Sequence, residues 1–456
     1  MPVEPLTFRF LGTGTSAALP VGPCLAGVSK PSRDVGEFLK FYEQHSSSDA
    51  SPSRWLGYDP KGEWPANVPC ASCRAAVDRS VPDGWKNRRG NPSLVISRGG
   101  KNLLVDVGKT FREQSVRYFP RWGIKSIDAV LITHGHADAY NGLDDLREWC
   151  NRQGAAIPIF LTQTTFETVS ASFPYLVDKT KASGGGDLPS LDFRIIKDDE
   201  ELDVLGIHVQ ALPVEHGKYF TPTPAAEVGP SKPATPAPGK CCGDDGKATE
   251  EHKASGEQKD GAVANGGANG GKKEEVTYVP HPEQRVTTGY TPFLCLGFVF
   301  DRSLVYLSDF SLITDSQWAL LDRATAHHQL PLTLIVDALW PVRPHTSHVS
   351  FPEAMSVAER IKPVHTWVLG MTHPTTHEQW ARMGRSVKGV EEEDDITTKE
   401  LLRKVWDSYE MRTNGDKIRH WGGDVEPAWD GLGVTVDQEG VHEMPLGQGS
   451  AGGWDI

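Results

Sequence analysis

Short apolar runs recur along the chain with the length of buried strands: LTFRFLG from Leu6, SLVIS from Ser93, NLLVDV from Asn102, AVLIT from Ala129, IPIFLT from Ile157 and GIHVQAL from Gly206. The pair FLCLGFVF and SLVYLS from Phe293, then LTLIVD from Leu332 and HTWVLG from His365, continue the series. Among the later runs the apolar spacing changes to that of amphipathic helices, over Gly142 to Asn151, Thr164 to Phe173, Asp315 to Arg323, Phe351 to Ile361 and His377 to Met383. Strands interleaved with helices that each carry one apolar face predict two packed sheets covered by helices on their outer faces, an α+β sandwich. No internal repeat is visible.

Three stretches break this pattern. The segment 26–68 is rich in Ser, Pro, Gly and charge, with a helical hint at Val35 to Glu43 and aromatic anchors at Trp55 and Trp64, and reads as an ordered insertion. The segment 221–288 runs through TPTPAAEVGPSKPATPAPGK and GAVANGGANGG. It has too few large apolar residues to offset its ordering entropy and is expected to be disordered. The acidic run Glu391 to Asp395, ahead of a helical segment near Thr398 to Met411, reads as a solvated loop. The rest, 1–456 with these interruptions, is expected to be a single domain.

Composition narrows the function. A net charge of −13 over 456 residues argues against a surface that grips a polyanion through many phosphate contacts, so a small-molecule partner is favoured over nucleic acid. No apolar stretch reaches the roughly 18 residues of a membrane span, and MPVEPLTFRFLGTG has no signal-peptide pattern, so no membrane partner and a cytoplasmic address are expected. Seven cysteines are too few and odd in number for a disulfide framework, which leaves metal binding or burial.

The sharpest local signal is Thr133-His134-Gly135-His136-Ala137-Asp138-Ala139, directly after the strand DAVLIT and before the helical GLDDLREW. A strand end turning into a helix gathers these side chains into one pocket, and imidazoles with a carboxylate suit zinc or a similar divalent ion. A polar turn with two incidental histidines is the plainer account. It weakens because His216 follows GIHVQALPVE, Asp309 follows SLVYLS and His373 follows HTWVLGMT, all near strand ends.

In this order of elements the chain resembles the metallo-β-lactamase superfamily, which implies a four-layer αββα sandwich. FLGTGTS, NRRGNPSLVI, DVGKTFREQ, HGHADAYNGLDDLR, YLSDFS, DALWPVRPHTSHVSFPEAM and WDGLGVTV are similar to one branch, that of the phosphoribosyl 1,2-cyclic phosphate phosphodiesterase and its eukaryotic relatives. The resemblance implies that His134, His136 and His216 hold one metal and that Asp138 and His373 hold a second, with Asp309 bridging. Ala139 stands where the superfamily pattern has another histidine, so the second site loses a ligand. Zn2+ or Mn2+ is implied at one or two catalytic positions, with a metal-bound hydroxide as nucleophile.

The branch also carries a structural zinc held by three thiols and a histidine, and the matching residues are Cys24, Cys70, Cys73 and His377. Cys150 and Cys295 read as core, and Cys241 and Cys242 as incidental. His348 matches a catalytic histidine of the branch and is the candidate general acid, with His345 beside it and Asp337 as a group that orients a histidine or caps a helix. Arg88, within Asn87-Arg88-Arg89, is the candidate phosphate contact, and Gly12 to Thr15 form a polar turn. A metal-dependent phosphodiesterase acting on a small or cyclic phosphate ester is the leading expectation. An RNA-processing nuclease of the same fold, an acyl or thioester hydrolase and a non-catalytic metal-stabilised binding protein are the alternatives.

Overall fold

The computed structural model describes residues 3–26, 70–183, 187–219, 291–373, 375–390, 392, 394, 396–413, 418 and 420–445. Apart from Ala26, the segments 26–68 and 221–288 lie outside these residues, and so do Cys241 and Cys242. The description below is of the unit Met1–Lys218 with Pro292–Ile456; the second unit, Tyr219–Thr291, is described only at its two end residues.

Two mixed sheets form the centre. The first runs, in spatial order, β15 (Gly440–Glu443), β14 (Gly433–Asp437), β1 (Leu6–Gly12), β2 (Ser93–Arg98), β3 (Lys101–Val105), β4 (Ala129–Leu131), β5 (Ile157–Leu161) and β6 (Leu191–Ile195). The second runs β13 (Asp424–Pro427), β12 (His365–Leu369), β11 (Thr333–Asp337), β10 (Leu304–Leu307), β9 (Pro292–Phe300), β8 (Ile207–Lys218) and β7 (Glu201–Val204). Their facing side chains, among them Phe8, Phe10, Leu94, Ile96, Phe298, Phe300, Tyr306 and Trp367, form one buried layer. Each sheet buries its other face under helices. Val95, Leu104, Val130 and Ile159 pack with Phe111, Phe119 and Leu143, and Val305, Leu334 and Val368 pack with Trp318, Met355, Trp380 and Val405. The result is the αββα sandwich expected from the alternation of strand and helix patterns.

The strand runs match the observed strands within a residue or two except β8, which continues from the expected end at Leu212 to Lys218, and the helix Phe351–Ile361 begins and ends where its apolar spacing does. That helix is set by a capping box in which Ser350 Oγ and the backbone of Ser350 engage Glu353. Several elements lacked a legible pattern: β6, β7, β13 and β15, and the helix Phe111–Trp122, which lay unread inside DVGKTFREQ. β6 has little burial to impose alternation, with a pattern of exposed and half-buried residues throughout.

What positions the chemistry is strand direction. β3, β4 and β5 are mutually parallel in the first sheet, as are β10, β11, β12 and β13 in the second, so their carboxyl ends open together. Of the acidic run expected to be a solvated loop, the described residues Glu392 and Asp394 are ion-paired. Arg382 is clamped by both carboxylate oxygens of Asp394 at 2.7 Å each, and Arg385 reaches Glu392 at 2.6 Å. A nearly buried guanidinium needs such a partner, and local charge count alone does not reveal one. Among the described residues, no helix is long and apolar enough to cross a membrane.

Candidate active site

His134 lies three residues beyond β4, and its ring is fixed by a chain of hydrogen bonds. Thr133 donates its amide and its hydroxyl to the two oxygens of Asp106, each at 2.8 Å, so the hydroxyl oxygen is left to accept from His134 Nδ1 at 2.8 Å. His134 is therefore the Nδ1–H tautomer, and its buried Nε2 has no hydrogen-bond partner. Burial holds its pKa well below the ordinary histidine value. A neutral, buried imidazole whose lone pair no protein group uses is what a cation needs.

His216, near the end of the long strand β8, is oriented in the same way. Its Nδ1 donates to the carbonyl of Ser347 at 2.6 Å, which leaves Nε2 as its ligand atom, and burial lowers its pKa to about 4. The next residue, Gly217, has φ +78 and faces Ser347 Cβ, a backbone turn that side chains resist. His136 is exposed but lies flat on Phe293 of β9, ring centroids 4.5 Å apart and 10° from parallel. Donor atoms of His134, His136 and His216 lie within 4.8 Å of one another, and so do those of His216, Asp309 and His348.

Asp309 follows β10 and is buried. Burial alone would raise its pKa, but His134, His216 and His348 outweigh that and hold it below the usual carboxylate range. Asp337, the last residue of β11, accepts a hydrogen bond from His348 Nδ1 at 2.8 Å, while Asp309 lies 3.8 Å from the same nitrogen. Burial raises Asp337 to about 7; His348, which burial would lower, is lifted to about 9 by Asp337 and Asp309. The pair holds a shared proton through neutrality. His345 is exposed at the rim, its ring 5.4 Å from that of His348.

Residues 101–236 match the family described as beta-lactamase superfamily domain. The chain is 32% identical over 151 residues to an octanoyltransferase of Porphyromonas gingivalis, covering 33% of this chain and 29% of that protein. It is 27% identical over 130 residues to a ribonuclease Z of Archaeoglobus fulgidus, covering 28% of this chain and 39% of that protein. The alignments thus span about a third of the chain and less than half of either relative. A crystal structure of a diphosphatase from the PhnP family superposes over 95% of this chain and 97% of its own, with a TM-score of 0.50 and 20% identity, a likeness that shows the fold. Residues 101–236 thus carry a beta-lactamase superfamily domain, set within the metallo-β-lactamase fold.

In this metallo-β-lactamase fold the thiols expected to gather do so, with a different histidine. Cys24, Cys70, Cys73 and His373 bring their donor atoms within 4.8 Å of one another. His373 Nδ1 stands 3.1 Å from Cys70 Sγ and 3.6 Å from Cys24 Sγ. Hydrogen bonds from Cys70 and Cys73 push the Cys24 thiol down, while the Cys73 thiol is pushed up by Cys24 and Cys70. Three buried thiols that compete in this way fit a cation that lets them ionise together, the chemistry of a closed tetrahedral zinc site.

The sequence expectation placed His373 at a second catalytic ion and His377 with the thiols, and here the structure corrects it. Gly370 donates its amide to the Thr13 carbonyl and Thr372 to that of Leu339, which holds the segment after β12 so that His373 reaches the cysteines. His377 is spent elsewhere. It opens the helix His377–Val387, its amide donates to Asn87 Oδ1 at 2.8 Å, and its Nδ1 accepts from Arg89 Nη2 at 3.3 Å. Arg89 is buried and also donates to the Ala428 carbonyl, so it packs the fold together. Arg88 donates to the carbonyl of Ala76 at the end of the helix Ala71–Ala75, which ties its guanidinium base to the thiol-bearing segment. The Gly12 to Thr15 turn is also a packing element, with Thr13 Oγ1 on Asp430 at 2.7 Å and the Gly14 amide on Gly90.

Asp138 is buried in the short helix Ala137–Tyr140, which is pressed against Gly108 so closely that a Cβ there would meet the Asp138 carbonyl at 1.8 Å. Burial, followed by Asp309, raises its pKa. Ala139 offers no donor and packs into the apolar layer beneath the helices. Asp106, Thr133, Ser347 and Phe293 were not singled out from the sequence, because each acts on an imidazole through a contact that only folding creates. Cys295 is core as expected, its sulfur 3.6 Å from His134 Nδ1.

The depressed histidine pKa has a measurable sign. A group lowered to about 4 in the fold binds fewer protons between pH 4 and 6.5 than a free histidine does, so acid competes poorly with a cation there. Ion content at the imidazoles, by elemental analysis after dialysis at about pH 5.5, is expected to equal that at about pH 7.5. Loss of most of the ion at the lower pH would contradict the assignment of Nε2.

Proposed function

We propose that the chain is a metal-dependent phosphodiesterase acting on a small phosphate ester, cyclic esters included. The observation that carries this reading is the pairing of two oriented, neutral imidazoles and Asp309 with a protonated His348–Asp337 dyad at their side. The chemistry a divalent ion would supply there, if held by the first group, is polarisation of a phosphoryl oxygen and a lowered pKa for water. His134, His136, His216 and Asp309 are the residues that would hold it, and Zn2+ or Mn2+ suits their nitrogen and oxygen donors. The protein's own part is orientation and proton supply. Thr133 and Ser347 keep two imidazole lone pairs aimed inward, and His348, with Nδ1–H held by Asp337, keeps Nε2–H for the departing alkoxide. His345 at the rim is placed to meet the rest of the ester.

The similarity to ribonuclease Z favours a second reading, an RNA-processing nuclease. The net charge of −13 weighs against it, since RNA is held by many cationic contacts. The test is a turnover screen of bis-p-nitrophenyl phosphate, cyclic nucleotides and cyclic ribose phosphates beside a 3′-extended tRNA. Hydrolysis of the small esters with the RNA left whole supports the proposal; cleavage of the RNA alone overturns it.

The dyad yields its own expectation. Asp337→Asn should lower kcat about 10- to 100-fold on alkyl phosphate esters, whose leaving oxygen needs a proton, and far less on p-nitrophenyl esters, whose leaving group does not. Equal losses on both would show that Asp337 only supports the fold.

A further inference from the structure

The superfamily resemblance implies two catalytic ions, whereas the donors in this structure suffice for one. We propose that the catalytic centre of this chain is built for a single ion, held by His134, His136, His216 and Asp309, with the His348–Asp337 pair standing on its open side. The inference rests on the metal-dependent reading of the site but not on which ester is hydrolysed.

Three observations lead there. First, the two donor triads share His216, and that ring has one lone pair to give, because its Nδ1–H is committed to the Ser347 carbonyl at 2.6 Å. The triads therefore cannot each hold an ion through His216; the one containing His134 has a buried Nε2 with no hydrogen-bond partner, and Asp309 joins it through their common member His216. Second, both imidazoles that a second ion would require are missing from its position. Position 139 is an alanine packed among Leu143, Val107 and Phe111, and His373 lies against Cys70 and Cys24. What remains beside Asp309 is His348, whose Nδ1 is committed to Asp337, and Asp138, which belongs to none of the donor groups found among the described residues. Third, the space next to Asp309 is taken by an imidazole already engaged elsewhere. His348 Nδ1 lies 3.8 Å from Asp309 but 2.8 Å from Asp337, and its ring centroid is 4.8 Å from that of His216. Two carboxylates without an imidazole form a poor site for zinc, which favours nitrogen and sulfur donors.

Native mass spectrometry of the zinc-replete full-length protein is expected to show two ions per chain, one at the thiols and one at the imidazoles. His134→Ala should leave one, and His136→Ala, at an exposed ring, should do the same if truncation of the buried His134 impairs folding. After exchange of manganese into the imidazole site, the electron paramagnetic resonance spectrum should be that of an isolated ion. Three zinc ions per chain, or an exchange-coupled manganese pair, would overturn the proposal, as would two ions retained in both histidine variants. Two ions in a protein that hydrolyses no phosphate ester would sink the proposed activity while supporting the single-ion centre.

Discussion

Asp309→Ala is expected to lower turnover of bis-p-nitrophenyl phosphate by more than about a thousandfold, a loss of roughly 4 kcal/mol in transition-state stabilisation, with the fold intact. Asp309 is a buried carboxylate that His134, His216 and His348 hold ionised against burial. Removing it withdraws the one anionic donor from a ring of imidazoles and leaves His348 facing Asp337 alone. The side chain is small and lies beside His216 and His348, so the apolar core is spared. Elemental analysis and turnover measured together check this. If the variant keeps both its ion and most of its activity, Asp309 is not a ligand and the proposed centre is wrong.

Cys73→Ser is expected to release one zinc per chain and lower the unfolding midpoint by on the order of 10 °C, because binding at a closed thiolate site is coupled to folding. The quartet joins three segments that sequence separates widely. Cys24 lies in the helix Gly22–Leu25, Cys70 and Cys73 at the helix Ala71–Ala75, and His373 beyond β12. Few apolar side chains pack there besides Val21 and Leu25, so little else holds the segments together. The imidazoles are built on other strands and should keep their ion. A zinc count and midpoint equal to wild type would remove the quartet as a metal site.

Local pattern carried most of what could be read without a structure. The strand runs, the helix Phe351–Ile361 and the motif from Thr133 to Ala139 are each specified by residues adjacent in the chain. Apolar period, capping residues and ligand spacing are local quantities. By itself the sequence pattern therefore determined the layered sandwich and the motif from Thr133 to Ala139, whereas the grouping of His134, His136 and His216 with Asp309, and of Cys24 with Cys70 and Cys73, was implied by the resemblance to a known branch.

Tertiary structure decided how those groups are shared out. His373 and His377 are equivalent in type and only four residues apart, and which of them meets the thiols depends on the amides of Gly370 and Thr372 finding carbonyls in the loops that follow β1 and β11. Arg89 looks like a phosphate contact until Ala428 and His377 are seen to take its donors, while Arg88 gives its Nε to Ala76. The lone pairs of His134 and His216 are aimed by Asp106 through Thr133, and by Ser347, partners remote in the chain or hidden behind a neighbour. A side chain's role in such a site is set by the direction of its hydrogen bonds, and direction exists only once the strands have converged.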